Sequence, residues 1–263
     1  MKQKIKKIIL MKGKRKIVSL TAYSKSIAKI LDNYCDIVLV GDSMANVLYG
    51  HKNTHKISLQ NIIHHASSVK MGVKKALFVV DMPKGTYNSP NKSLKNARLI
   101  VKKTRCDAVK IENYKNNFKI LKYLVKKKIP VMGHIGYTPQ FKNKFKLEGQ
   151  SIREINSLLD EAKLIEKAGA FAIVLECLTA KASKIITNSV KIPTIGIGSS
   201  SCCDGQILVT DDMLGISGFY PKFVKKYSNL TKIIENAVKK YTRDVKIKKF
   251  PTKKYFLNGT ERK

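Results

Sequence analysis

The sequence predicts a single-domain (β/α)8 barrel, an α/β fold in which eight parallel strands alternate with helices. Its 263 residues match one such barrel, because eight strand–helix units take about 250 residues. A hydrophobic fraction of 43% is enough to build a large core. Short β-branched runs also alternate with stretches of helical periodicity, which is the pattern of parallel βαβ units. We therefore expect one domain over residues 1–263.

The individual elements follow from hydrophobic periodicity and from capping residues. Strands are predicted at residues 17–21, 36–40, 76–80, 108–112, 130–134, 171–176, 194–197 and 206–209. Helices are predicted at 26–33, 58–71 with Ser58 as N-cap, 92–103, 117–127, 152–168, 181–187 and 233–245. A short basic segment, residues 1–16, precedes the first strand, and a basic tail follows the last helix.

An open doubly wound sheet is the alternative architecture. That fold calls for a glycine-rich phosphate loop after its first strand. Here the first predicted strand runs into Thr21-Ala22-Tyr23-Ser24, which has no glycine. The barrel is therefore the favoured prediction.

The net charge of +34 raises the possibility of a nucleic-acid partner. Only six of the 52 basic residues are arginine, however, and the lysines are spread from end to end. Base recognition and bidentate phosphate contacts favour arginine. We interpret the lysines as a solvated surface produced by compositional drift, and we expect no specific nucleic-acid binding.

The cellular compartment is predicted from apolar runs and cysteines. No run approaches the ~18 apolar residues of a membrane span, and the cluster Ile8-Ile9-Leu10-Met11 is too short for a signal peptide. The five cysteines form no Cys-x-x-Cys pair, which is typical of reduced thiols. We expect a cytoplasmic protein with no membrane partner.

Acidic residues mark the ends of four predicted strands. Asp42, Asp81, Glu112 and Glu176 fall at the ends of strands two, three, four and six, although the chain has only 18 acidic residues. The carboxyl ends of the strands form the catalytic face of a (β/α)8 barrel. Converging carboxylates need a cation or protons, and oxygen ligands suit Mg²⁺. The alternative is that each acid caps the helix that follows it.

Three other side chains are predicted at the same face. Strand alternation places Lys110 beside Glu112, where it holds a substrate anion or balances buried charge. Ser43 follows Asp42 and either binds a substrate carboxylate or caps a turn. His134 ends the fifth strand, and is either a substrate-site residue or a buried hydrogen-bonding histidine.

Long segments of the chain resemble ketopantoate hydroxymethyltransferases, in order and from about residue 17 to residue 250. The matching motifs are Val40-Gly41-Asp42-Ser43, Val80-Asp81-Met82-Pro83, Ala108-Val109-Lys110-Ile111-Glu112, Pro130-Val131-Met132-Gly133-His134-Ile135-Gly136, Gly169-Ala170-Phe171-Ala172-Ile173-Val174-Leu175-Glu176-Cys177, Ile192-Pro193-Thr194-Ile195-Gly196-Ile197-Gly198 and Asp204-Gly205-Gln206-Ile207-Leu208-Val209.

The resemblance implies a (β/α)8-barrel enzyme of pantothenate and coenzyme A biosynthesis. Such enzymes transfer a hydroxymethyl group from 5,10-methylenetetrahydrofolate to 3-methyl-2-oxobutanoate, giving ketopantoate, with one Mg²⁺ per subunit and typically as a homodecamer of two pentameric rings. Matched motif by motif, it implies metal ligands at Asp42, Asp81 and Glu112 and a catalytic base at Glu176. It implies keto-acid contacts from Asp42, Ser43, Asp81 and Lys110, with His134 near the substrate.

The chain departs from the family pattern in three loops. Residues 141–149, from Phe141 to Gly149, form a shorter loop than usual and lack its Gly-Gly-Tyr. Lys52 replaces an acidic residue, and Gly198-Ser199-Ser200 replaces a Gly-Ala-Gly. We expect the 141–149 loop to act as a mobile lid whose shortening weakens folate binding, with the chemistry retained.

The residues also predict a mechanism. A 2-oxo acid can chelate Mg²⁺ through its carboxylate and keto oxygens, which stabilises the enolate formed on loss of the adjacent proton. Glu176 follows the apolar run 171–175, and desolvation there should raise its pKa towards that of a useful base. A barrel enzyme of the phosphoenolpyruvate mutase/isocitrate lyase kind is one rival, although its Lys-Lys-Cys-Gly-His-like motif is absent. A cationic nucleic-acid binder is the other.

Overall fold

Eight parallel strands close into a barrel in chain order, which confirms the predicted (β/α)8 fold. The computed structural model describes residues 3–114, 117–142, 144–218 and 220–256. The strands are β1 Ile17–Thr21, β2 Ile37–Val40, β3 Leu77–Asp81, β4 Ala108–Lys110, β5 Val131–Gly136, β6 Ala172–Glu176, β7 Thr194–Ile197 and β8 Gly205–Leu208. Pairing of Ile17 with Gly205 closes the barrel between β1 and β8.

Ten α-helices occur in the described part of the chain, and seven of them were predicted. They are α1 Gln3–Leu10, α2 Lys25–Leu31, α3 Met44–Val47, α4 Leu59–Lys70, α5 Pro90–Thr104, α6 Phe118–Lys126, α7 Ile152–Lys167, α8 Ala180–Ser189, α9 Thr210–Leu214 and α10 Leu230–Lys246, with short 3-10 helices at Thr54–Lys56 and Lys253–Tyr255. Ser58 is the N-cap of α4 and forms a capping box with Asn61, as its position in the sequence predicts. None of the described helices is long and apolar enough to cross a membrane.

Apolar side chains form two separate clusters on the two sides of the strands. The larger one lies between the strands and the surrounding helices and includes Val38, Phe78 and Ile173. The smaller one fills the barrel interior and includes Leu39, Val79 and Val174. Because both faces are covered, β2, β3, β4 and β5 are buried along their whole length.

Helix α1 closes the amino-terminal end of the barrel, a role that the sequence analysis missed. Ile5, Ile8 and Met11, none more than 4% exposed, pack into the inner cluster. Lys4 Nζ donates to the backbone oxygen of Ala76, just before β3, and Lys12 Nζ pairs with Asp204, just before β8. Residues 3–12 of the predicted basic segment therefore close this end of the barrel, and we call them the barrel floor.

The outer face of the barrel is less covered at β8 and β1. The helix after β8, α9, has only five residues. Val18 of β1 is 47% exposed, and Gln206 of β8 is also exposed. Helix α10 contributes no buried residue. The prediction of one domain over residues 1–263 stays a prediction, since residues 1–2, 115–116, 143, 219 and 257–263 lie outside the described part of the chain.

Candidate active site

All seven predicted site residues lie at the carboxyl end of the barrel. Asp81, Lys110 and Glu176 are the last residues of β3, β4 and β6. The others are Asp42 and Ser43 just after β2, Glu112 just after β4, and His134 within β5. We call Asp42, Asp81, Glu112 and Glu176 the acid cluster. Its first three members are at most 5% exposed, and the Glu176 side chain is 17% exposed.

An ion pair stands at the centre of this end. Lys110 Nζ lies 2.9 Å from Asp81 Oδ1. The other carboxylate oxygen of Asp81, Oδ2, accepts a hydrogen bond from the backbone N–H of Asp42 at 3.0 Å. A Cβ at Gly41 would stand 2.9 Å from Ser43 Oγ, so a side chain at this position would displace the serine hydroxyl. The ends of β2, β3 and β4 are thereby held together.

A second chain of contacts runs from Lys110 to Glu176 through His134. Lys110 Nζ lies 3.3 Å from His134 Nδ1, and His134 Nε2 lies 3.2 Å from Glu176 Oε2. An ammonium group only donates, so Nδ1 accepts and the proton of a neutral imidazole is on Nε2. Burial, assisted by Lys110, lowers the pKa of His134 well below its ordinary value, so the ring is neutral. Nε2 of His134 therefore faces the Glu176 carboxylate at 3.2 Å but makes no hydrogen bond of good geometry there.

Burial dominates the electrostatics of the acid cluster. It raises the pKa of Glu176 to about 7, and Lys110 opposes this rise. It also raises the pKa of Asp81 to about 7 against the same ammonium, and it raises the pKa of Glu112 well above its ordinary range, with Asp42 adding to the effect. Burial alone lowers the pKa of Lys110, but Asp81, Asp42 and Glu112 raise it above its ordinary value. Lys110 is the one cation among the seven residues.

The donor set fits Mg²⁺ by charge and by atom type. Glu112 Oε1 is buried and has no hydrogen-bond donor, so it is available to a cation. Carboxylates that outnumber the nearby ammonium need a further positive charge when they are ionised. Among the described residues, no three His, Cys, Asp or Glu side chains already form a metal-binding group. Asp42, Asp81 and Glu112 therefore do not converge as a complete ligand set, and an Mg²⁺ ion at this site would take one or two of the carboxylates directly and the rest of its coordination from water or substrate oxygens.

Gln140 is the site residue that the sequence analysis missed. It follows β5, is 1% exposed, and donates from Nε2 to Asp42 Oδ2 at 2.8 Å. Its backbone N–H donates to Glu112 Oε2 at 3.1 Å. The available signal was its position in Thr138-Pro139-Gln140, directly after a strand on the catalytic face.

Two tyrosines hydrogen-bond with side chains of the same site. Tyr87 OH donates to Gln140 Oε1 at 2.6 Å, and Tyr23 OH lies 2.8 Å from Ser43 Oγ. Burial raises the pKa of Tyr87 well above its ordinary value and that of Tyr23 likewise, so both hydroxyls keep their protons. Ser43 is thus tied to Tyr23 rather than to the acids.

The loop of residues 141–149 is anchored on both sides. Phe141 stacks on Tyr114 with ring centroids 4.7 Å apart. Lys142 Nζ donates to the Gly136 carbonyl at 2.9 Å and forms an ion pair with Glu148. Asn143 lies outside the described residues. The role of this loop as a lid, and its effect on folate binding, stay predictions.

Ser199, one of the departures from the family pattern, supports the end of β6. Its Oγ donates to the Leu175 carbonyl at 2.8 Å and accepts from the Leu178 N–H at 3.1 Å. Between these partners lies Cys177 with φ of 56°, a strained value for a residue with a side chain. The serine therefore stabilises the turn that carries Glu176. Lys52, another departure, is exposed.

The fold and the site together define the class of the protein, which is a (β/α)8-barrel enzyme. Solved structures with this architecture include 2,3-dimethylmalate lyase, a PEP mutase/isocitrate lyase superfamily member, at a TM-score of 0.64 and 14% identity over 93% of this chain and 89% of that one. A phosphoenolpyruvate phosphomutase from Streptomyces platensis subsp. rosaceus aligns with a TM-score of 0.59 and 11% identity over 92% of this chain and 86% of that one. At these identities the likeness concerns the fold alone.

Sequence comparison gives the particular family. The ketopantoate hydroxymethyltransferase family model matches residues 2–253. The 3-methyl-2-oxobutanoate hydroxymethyltransferase of Pelagibacter ubique is 52% identical over 97% of this chain and 99% of its own length. The enzyme of the same name from Clostridioides difficile is 47% identical over 94% of this chain and 92% of its own. The chain therefore belongs to the ketopantoate hydroxymethyltransferase family.

Proposed function

We propose that the chain transfers a hydroxymethyl group from 5,10-methylenetetrahydrofolate to 3-methyl-2-oxobutanoate, a step of pantothenate biosynthesis, with Glu176 as the base. Relatives named for this activity at 52% and 47% identity support the overall reaction. The observation that carries the assignment of the base is the position of Glu176. Its carboxylate contacts neutral His134 and has a pKa raised to about 7.

Asp42, Asp81 and Glu112 are the residues proposed to hold Mg²⁺. When bound, this ion supplies a Lewis acid that polarises the keto group of the substrate. Lys110, the buried cation of the site, attracts the substrate carboxylate, and the proposed role of the Ser43 hydroxyl, which bonds to Tyr23, is to donate to the same group. The resulting orientation presents the carbon next to the keto group to Glu176.

Glu176 then removes a proton from that carbon. The C–H bonding pair moves into the enolate, whose carbon attacks the one-carbon unit of the folate. A C–C bond forms to that unit, water supplies its hydroxyl oxygen, and both bonds from the unit to folate nitrogens break. The proton held by Glu176 and the remaining proton of the water go to these two nitrogens. Neutral His134 lies against Glu176, with Nε2 3.2 Å from the carboxylate, and limits where this side chain can move. A carboxylate with a raised pKa suits this proton transfer near neutral pH.

Exchange of the substrate proton in deuterated water tests the base without folate. Glu176→Gln should bind 3-methyl-2-oxobutanoate and Mg²⁺ yet lose at least about a hundredfold of the exchange rate, as expected when a general base is removed. Glu235→Gln on the exposed face of α10 is the matched control and should exchange at the wild-type rate. Wild-type exchange in Glu176→Gln would remove Glu176 from the mechanism.

We also propose that the chain self-associates. Five apolar side chains of α10 are between 42% and 59% exposed: Ile233, Ile234, Val238, Tyr241 and Val245. The outer face at β1 and β8 is exposed where other strands are covered by helices. An apolar helix face and an uncovered strand face on one chain complement each other, so a second copy of this chain is the partner that we propose for α10. The proposal of a decamer, made of two pentameric rings, rests on the resemblance to the family.

Light scattering of wild type and Val238→Glu tests this assembly. The wild type should be oligomeric, and the variant should dissociate to a smaller species, because a charge in an apolar interface is costly. Lys239→Glu, one residue along the same helix, is the control for charge alone. A monomeric wild type would contradict the proposal.

We propose a cytoplasmic location because of the state of the cysteines. None of the five forms a disulfide, and four of them are buried. Free thiols are typical of reducing compartments.

A further inference from the structure

Gln140 joins the loops after four strands at one point. It belongs to the loop after β5, and its Nε2 donates to Asp42 Oδ2 at 2.8 Å and to the Met82 carbonyl at 3.1 Å. Its backbone N–H donates to Glu112 Oε2. These partners follow β2, β3 and β4, so a single buried residue connects three neighbouring loops to its own.

The orientation of the Gln140 amide is determined by its neighbours. Asp42 Oδ2 and the Met82 carbonyl can only accept, so they face the NH₂ group. Tyr87 OH, which keeps its proton, donates to Oε1 at 2.6 Å. Every polar atom of the side chain is satisfied in this orientation, and the reversed orientation would place oxygen against oxygen. The side chain is therefore held rigidly.

Gln140 hydrogen-bonds to one oxygen of each of two acids and makes no bond to the other oxygen. On Glu112 it uses Oε2, while Oε1 remains buried without a donor. On Asp42 it uses Oδ2 only. Donors on one oxygen fix the plane of a carboxylate and the direction in which its second oxygen points. Partners of this kind orient metal ligands and affect metal affinity.

We propose that Gln140 is a positioning residue that orients Asp42 and Glu112 for Mg²⁺. The inference rests on the proposed function, since it takes these acids as the metal ligands. It assigns to the amide a role in binding the ion, separate from the proton transfer at Glu176. Tyr87 contributes indirectly by fixing the direction of the amide.

Calorimetric titration with Mg²⁺, without substrate, tests this role independently of turnover. Gln140→Met keeps the volume and the backbone N–H but removes the side-chain donors, and it should weaken Mg²⁺ binding about 10- to 100-fold. Gln150→Met is the control, because Gln150 is exposed and its Nε2 bonds only to the Leu147 carbonyl of its own loop. Tyr87→Phe should give a smaller weakening in the same direction.

The outcomes separate the two proposals. Unchanged Mg²⁺ affinity in a folded Gln140→Met would overturn the role of Gln140. If the wild type itself binds no Mg²⁺, the metal part of the proposed function fails instead. Should Gln140→Met not fold, Gln140→Asn provides the same test, since its shorter amide cannot reach Asp42 while the backbone N–H to Glu112 remains. Wild-type affinity in Gln140→Asn would then overturn the proposal.

Discussion

The two ends of the barrel are built from the same strands but from opposite kinds of side chain. At the amino-terminal end, Ile5 and Ile8 of the barrel floor close the interior with apolar contacts. At the carboxyl end, buried carboxylates crowd around Lys110 and have raised pKa values. Apolar burial stabilises the fold, whereas buried charge costs stability and is kept for chemistry. With the proposed chemistry at the carboxyl end, stability and catalysis would occupy separate ends, and mutations at the two ends should have separate effects.

The largest effect is expected at the catalytic end. Asp81→Asn removes the charge paired with Lys110 but keeps the volume, and it should reduce Mg²⁺-dependent turnover by about a hundredfold or more, since Lewis-acid catalysis is worth several kcal/mol. Steady-state kinetics measure this. Asp160→Asn on exposed α7 should leave turnover unchanged. Normal turnover of Asp81→Asn in chelated buffer would break the assignment of this end.

The barrel floor should show the converse behaviour. Ile8→Ala removes a side chain that is 1% exposed and should lower the free energy of unfolding by about 2–5 kcal/mol, while kcat at low temperature stays near wild type. Urea unfolding, treated as a two-state transition, measures the loss of stability, and kinetics at about 15 °C measure kcat. Ile30→Ala, at a site 57% exposed, is the control. A fall in kcat without loss of stability would show that the ends are coupled.

The pH dependence should also separate activity from stability. Because the pKa of Glu176 is about 7, proton exchange should fall about tenfold per pH unit below that value as the base becomes protonated. The folded state binds this proton more tightly than the unfolded state, so the stabilisation is complete below pH 4.5 and is lost as pH rises through about 7.

Glu176→Gln provides the measurement for that comparison. It should flatten the Glu176 component of stability between about pH 5 and 7 in urea unfolding, in the same window where wild-type exchange rises. A wild-type rate of substrate proton exchange that stays constant from about pH 5 to pH 8 would contradict the raised pKa of Glu176.

The smallest effect is expected at Ser199, which hydrogen-bonds with the turn that carries Glu176. Ser199→Ala removes the hydroxyl that joins Leu175 to Leu178 and should reduce proton exchange about threefold, since one hydrogen bond contributes about 1 kcal/mol. Ser201→Ala, at an exposed position, is the control. Equal exchange in the two variants would mean that the turn keeps its shape without the serine.

The sequence predicts the barrel and the acidic residues because both follow local rules. Strand and helix periodicity place the elements, and chain order in a parallel barrel places every strand end at one face. Helix α1 within the basic segment was missed, since it has only eight residues and its burial depends on the closed barrel. Gln140 was missed because its partners come from loops distant in sequence.

Closure of the barrel has a consequence for synthesis of the chain. The first strand pairs on one side with residues 205–208, which leave the ribosome long after it does. Until then the apolar side chains of α1 have no finished interior to enter, since the cluster that receives them includes Ile195 and Ile207. Helix α1 and β1 thus reach their final packing only after β8 has formed, and such non-local pairing slows folding. A nascent chain should stay protease-sensitive at its amino terminus until β8 emerges, and pulse proteolysis of stalled chains would detect the change.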